Sequence, residues 1–91
     1  MRDYDDDARF FSEIKTYHGK PEIRQFFEAF IDSLPPGAIS RFSLRTLRVE
    51  GEIAYITWSA GNAIPLGTDT FVVRDGKIVS QTFAMHPTAA A

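Results

Sequence analysis

Apolar positions in this chain change their period once, near residue 37, and the change separates a helical stretch from a run of strands. Over residues 20–33, Ile23, Phe26, Phe27, Phe30 and Ile31 recur at spacings of three and four, and Leu34 continues the series. That spacing places one apolar stripe along a helix. Glu22, Arg24, Gln25 and Glu28 fall mainly on its other side. Pro21 suits the first turn, where a missing N–H costs nothing. Leu34-Pro35-Pro36-Gly37 ends the helix. Phe26 and Phe30 are expected to be buried against a sheet.

After the prolines the period becomes two. Residues 38–49 read as a long strand with mixed alternation, turned at Glu50-Gly51. Residues 52–60 follow, rich in Ile, Tyr, Thr and Trp. Residues 61–66 form a polar connection, and residues 68–73 and 77–85 complete a meander of four strands. Before the helix, residues 9–17 form one short extended segment behind an acidic lead-in, residues 1–7. Residues 87–91 are expected to fray. No repeat and no linker interrupts the pattern, so residues 1–91 form a single domain. One helix and consecutive antiparallel strands make the fold class α+β.

The last hairpin carries the sharpest chemical lead. Asp75 belongs to the turn, but nothing local accounts for Asp69 among Phe71, Val73, Val79, Phe83 and Met85. A two-residue Asp75-Gly76 loop sets Asp69 opposite Thr82. A three-residue loop with Gly76 in a bulge sets it opposite Gln81. The three-residue loop separates apolar from polar residues better and is the expected register. An acid on an apolar face must pair, reach water or hold a proton. Asp69 is therefore either a pocket acid with a raised pKa or a structural acid bonded to backbone N–H groups after Gly67.

Composition narrows the function. The net charge of −2 and ten scattered Lys and Arg leave no basic patch for nucleic acid. With no cysteine there is neither a disulfide framework nor thiol catalysis. Two His far apart suggest no metal site, and no cofactor is expected. No apolar run nears the length of a membrane span. The acidic start lacks a signal-peptide core, so a cytoplasmic protein is expected.

Three motifs in order resemble the nuclear transport factor 2-like superfamily, which includes SnoaL-like polyketide cyclases and ketosteroid isomerases. They are Asp6-Asp7-Ala8 with Phe10; Tyr17-His18-Gly19 through Ile23-Arg24-Gln25-Phe26-Phe27; and Asp69-Thr70-Phe71 through Gly76-Lys77-Ile78. The resemblance implies a cone-like fold, a curved antiparallel sheet packed on one main helix around an apolar pocket. It also implies dimers through the outer sheet face. Ketosteroid isomerases use an acid before Phe in this hairpin as a protonated donor, and Asp69 matches that position. Their base follows the acidic entry motif. Here the alignment falls on Ser12 or one residue beyond, making Glu13 the candidate. The family normally begins with helices ahead of that motif, and this sequence starts at Met1 just before it. The expectation is a truncated form of a longer protein, or a reduced member whose pocket a partner subunit closes.

The expected function is binding of a small apolar molecule, with isomerase, cyclase or hydratase-type proton transfer through Asp69 and Glu13. Tyr17, Phe27, Tyr55, Phe71, Gln81, Phe83 and Met85 are the candidate ligand-binding residues. The alternative is a non-catalytic dimerisation or protein-binding module. A homodimer is expected in either case, with Trp58 or its strand neighbours near the contact, since small domains bury a small share of their surface.

Overall fold

The structure is a computed structural model in which residues 1–86 are described; the tail expected to fray lies outside them. Six strands form one sheet, in the spatial order Thr16–His18, Tyr4–Phe11, Lys77–His86, Ile64–Arg74, Ile53–Ala60, Phe42–Glu50. Strand β1 (Tyr4–Phe11) turns back into β2 (Thr16–His18), and helix α1 (Gly19–Ser33) follows at once. A short 3-10 turn, Ile39–Arg41, leads into β3 (Phe42–Glu50). Strands β4 (Ile53–Ala60), β5 (Ile64–Arg74) and β6 (Lys77–His86) complete an antiparallel meander. The domain is α+β, as its sequence pattern implies, but the sheet is mixed: β1 lies parallel beside β6.

Helix α1 is set by its ends. Gly19 takes φ +78°, and a Cβ there would meet the Asp6 carbonyl at 3.2 Å. The Glu22 carboxylate accepts a hydrogen bond from the His18 N–H at 3.0 Å, satisfying a donor the first turn leaves open. Leu34 closes the helix in an extended conformation, as a residue before proline prefers. Of the apolar stripe, Ile23 is fully buried, whereas Phe26 and Phe30 are only half-buried. Their rings meet Phe83 of β6 at 5.4 and 5.3 Å.

Two buried clusters make the core. Ala8, Phe10 and Ile23 form one; Ala38, Trp58, Ala60 and Ile64 form the other. Phe83 packs against both and joins them.

Long-range pairing changes several boundaries. The acidic lead-in is largely strand, because Asp3 and Tyr4 pair with Ile78 of β6. Between Tyr4↔Ile78 and Arg9↔Ser80 the register jumps, so residues 5–8 oppose only Val79; Asp6 and Asp7 are exposed there while Ala8 is buried. Residues 9–17 are not one extended segment. The Ser12 hydroxyl accepts from the Ile14 and Lys15 N–H groups and donates to the Lys15 carbonyl, closing a turn between β1 and β2. Strand β5 begins at Ile64, inside the expected connection, because that side chain is buried. In β3, the alternation was mixed for a reason. Leu44 faces Trp58 and Thr46 faces Thr57, so Arg45 is an extra residue that resets the phase. Phe42, Leu44, Leu47 and Val49 thereby all share the face of Trp58 and Ile56.

The last hairpin differs from the expected register. Its loop is the two-residue Asp75-Gly76, both at positive φ, as a tight hairpin turn requires. A bulge at Val79 then shifts the ladder, and Asp69 pairs with Phe83 rather than Gln81 or Thr82. Beyond the bulge, turn and bulge together move the pairing by two residues, which preserves the faces of residues 69–72 and 80–85; between turn and bulge the shift is one, so Ile78 pairs with Val73 and joins the face expected for Val79. Asp69, Phe71, Gln81, Phe83 and Met85 therefore still share one surface.

Candidate functional site

Asp69 is 6% exposed and both of its oxygens are engaged. Trp58 Nε1 donates to Oδ1 at 2.8 Å, and Gln81 Nε2 donates to Oδ2 at 2.7 Å. Gln81, 3% exposed, accepts in turn from the Tyr4 hydroxyl through Oε1. The result is a chain, Tyr4–Gln81–Asp69–Trp58, that crosses β1, β6, β5 and β4 on one face of the sheet.

Each link follows from register. Trp58 pairs with Gly67 and Gln81 with Phe71, so both stand diagonal to Asp69, within reach of long side chains. Gly67 leaves room for the indole to lie against β5. The partners of Asp69 are thus side chains, not the backbone groups after Gly67.

Burial pushes the Asp69 carboxyl above its ordinary value of 3.8, and the two hydrogen bonds, from Trp58 and then Gln81, pull it partly back. The Tyr4 phenol is pushed up to about 12, first by burial, then by the charges of Asp69 and Asp3, against the Gln81 hydrogen bond.

Beside this network lies an apolar cleft of about 510 Å³ between α1, the β1–β2 turn and the end of β6. Its lining includes Ile14, Tyr17, Phe26, Ala29, Phe30, Phe83 and Met85, with Ser12, Glu13, Gln25 and Ser33 as its polar members. Of the candidate residues, Glu13, Tyr17, Phe83 and Met85 meet at this cleft. Asp69 and Gln81 do not line it; Phe83, the cross-strand partner of Asp69, does. Phe27 turns away into the aromatic cluster, its ring 5.4 Å from Phe10 and 6.4 Å from Tyr4. Phe71 shares the face of Asp69 but lies outside the cleft. Tyr55 is on the opposite face, beside Arg48, Glu50 and Ile53.

Sequence reasoning missed Trp58 and Tyr4 as members of the network. A signal for Trp58 was present: a buried indole needs an acceptor, and Asp69 was the acid on an apolar face that needed a donor. Tyr4 carried no such signal, since the parallel pairing that brings it to Gln81 is not local. Among the described residues, no group of three or more His, Asp or Glu is placed to hold a metal ion, and no helix is long and apolar enough to cross a membrane.

A curved sheet wrapped on one helix, with an apolar cleft beside a buried acid, defines an α+β domain of the nuclear transport factor 2-like type. The SnoaL-like domain profile matches residues 1–81, and the chain belongs to that family. Solved structures share the fold. A nuclear transport factor 2-like protein of unknown function from Burkholderia xenovorans LB400 is 24% identical, with a TM-score of 0.72 over 98% of this chain and 69% of its own. A candidate isomerase of the SnoaL-like family from Agrobacterium tumefaciens C58 is 16% identical, with a TM-score of 0.74 over 93% and 75%. A candidate polyketide cyclase from Sinorhizobium meliloti is 17% identical, with a TM-score of 0.74 over 91% and 76%. At these identities the likeness is one of fold. No curated protein matches the sequence.

Proposed function

We propose that this domain binds a small apolar molecule in the cleft between α1, the β1–β2 turn and the end of β6. The observation that carries the reading is the cleft itself: about 510 Å³, walled by aromatic and aliphatic side chains, with a few polar groups. That size and lining are typical of small-molecule sites. Where turnover accompanies binding, the relatives described as a candidate isomerase and a candidate polyketide cyclase support isomerase, cyclase or hydratase-type proton transfer. Glu13 is the carboxylate on the cleft, and Asp69 stands behind Phe83. Asp69 lies outside the lining, so a direct donor role for it requires an opening beside Phe83, its cross-strand neighbour.

Filling the cleft tests the reading. Ala29 is exposed on α1 and lines the cleft, so Ala29→Trp should occupy it without disturbing the core. Binding of the neutral fluorophore N-phenyl-1-naphthylamine should weaken about tenfold or more, roughly 1.4 kcal/mol. The unfolding midpoint should move little, as for a surface change of about 0.5 kcal/mol. Unaltered binding in Ala29→Trp would remove the cleft as the site.

The reading as a dimerisation or protein-binding module has its own observation. Phe42, Leu44, Leu47 and Val49 are 52–63% exposed and share one sheet face. Such a patch favours association, and a homodimer through β3 is our proposal for it. Trp58 or its strand neighbours are the residues placed near the contact on sequence grounds; Trp58 is buried within its own chain, and Leu44, its cross-strand partner, belongs to the patch. Sedimentation at micromolar concentration should give a dimer; a stable folded monomer would count against it.

A further inference from the structure

We infer that the cleft selects a flat apolar amine, bound as its protonated form, and discriminates against carboxylates. This rests on the cleft being the binding site, and it concerns which chemistry the cleft accepts.

Charge decides the sign. Glu13 is the one charged residue among the cleft's lining, and it forms no ion pair among the described residues. The nearest cation on the same turn, Lys15, is held 4.6 Å over the Tyr17 ring and is not part of the lining. A carboxylate entering the cleft would therefore face an unpaired acid and find no cation in the wall.

Of the remaining polar groups, the Gln25 amide is uncharged and can serve either an ammonium or a carboxylate, so it sets no sign. The Ser12 hydroxyl is saturated by its own turn, and the Ser33 hydroxyl donates to the Phe30 carbonyl. Neither is free to recognise an anion. The walls also suit a cation. Phe26, Phe30 and Phe83 line the space with rings, and ring faces attract ammonium groups; the Tyr17 ring, also in the lining, already carries Lys15 on one face. A ring system stacked against these walls, with its ammonium group at the Glu13 end, satisfies both features together.

Three matched probes separate the outcomes: 1-naphthylmethylamine, 1-naphthaleneacetate and 2-(1-naphthyl)ethanol. Each is titrated calorimetrically at pH 7 and low ionic strength against the wild type, Glu13→Gln and Ala29→Trp. Reversing a probe's charge near an exposed carboxylate should change affinity by about tenfold. The amine should bind about tenfold tighter than the carboxylate, with the alcohol between. Glu13→Gln should bring the three within about twofold of one another, and Ala29→Trp should weaken all three. Equal binding of amine and carboxylate by the wild type, or a preference that survives Glu13→Gln, overturns the selectivity while leaving the cleft as the site. Binding of all three unaffected by Ala29→Trp, or no binding of any, overturns the cleft reading as well.

Discussion

Gly67→Ala is expected to destabilise the domain by about 3 kcal/mol, the upper end for overpacking a core. The new methyl group would fall 2.7 Å from Trp58 Cδ2 and nearer still to Cε2 and Cζ2. Backbone strain is not the cause, because Gly67 is not among the glycines with positive φ. The cause is space: the indole lies directly on the strand. Displacing it breaks the Trp58–Asp69 hydrogen bond and disturbs the stacks on Phe42 and Phe83, at 5.3 and 6.2 Å. Such a loss is a large fraction of the roughly 5–15 kcal/mol that holds a small domain together. Trp58 is the single tryptophan, so its emission reports the displacement alongside urea unfolding. An unchanged midpoint with unchanged emission would show that the indole does not rest on Gly67.

The second large effect is at Asp69. Asp69→Leu keeps the branched shape, with somewhat larger bulk, but leaves the Trp58 and Gln81 N–H donors without acceptors in a buried site. At about 1–3 kcal/mol for each stranded donor, the loss should be roughly 2–6 kcal/mol. Asp69→Asn should cost much less. Its oxygen can still accept from Trp58, and a reversed Gln81 amide can accept from its NH₂ group, because the Tyr4 hydroxyl can accept as well as donate. The two variants also separate charge from shape. The folded carboxyl has a raised pKa, so above pH 3.8 the native state holds its proton more tightly than the unfolded chain. Stability from this group is present at low pH, falls as pH rises through the raised folded value, and is level above it. Asp69→Asn should lack that fall. Carboxyl NMR titration checks the direction independently; an ordinary or depressed value would refute the assignment.

Some of this was determined by the sequence alone. The helix was legible because residues 20–33 repeat their apolar positions locally, between Gly19 and Pro35. The strands of the meander were legible because turn residues separate runs of period two. The shared face of Asp69, Gln81 and Phe83 was also legible, and it survived a wrong register because a shift of two residues keeps parity. The family resemblance rested on three local motifs in order, and the SnoaL-like profile covers all but the end of the last of the strands that carry them.

The rest was decided only by tertiary structure. Whether Tyr4 belongs to a lead-in or a strand depends on β6, more than seventy residues away. The bulges at Arg45 and Val79 depend on partner strands, and no local signal distinguishes them from plain alternation. Asp69 became a carboxylate bonded to two side chains, rather than one facing a ligand, because two diagonal neighbours met it across β4 and β6. Tyr55 and Phe27 left the candidate site for the same kind of reason: strand pairing and helix rotation set their faces, and neither is written in residue type. Side-chain chemistry is local, but which groups share a desolvated space is a property of the paired sheet.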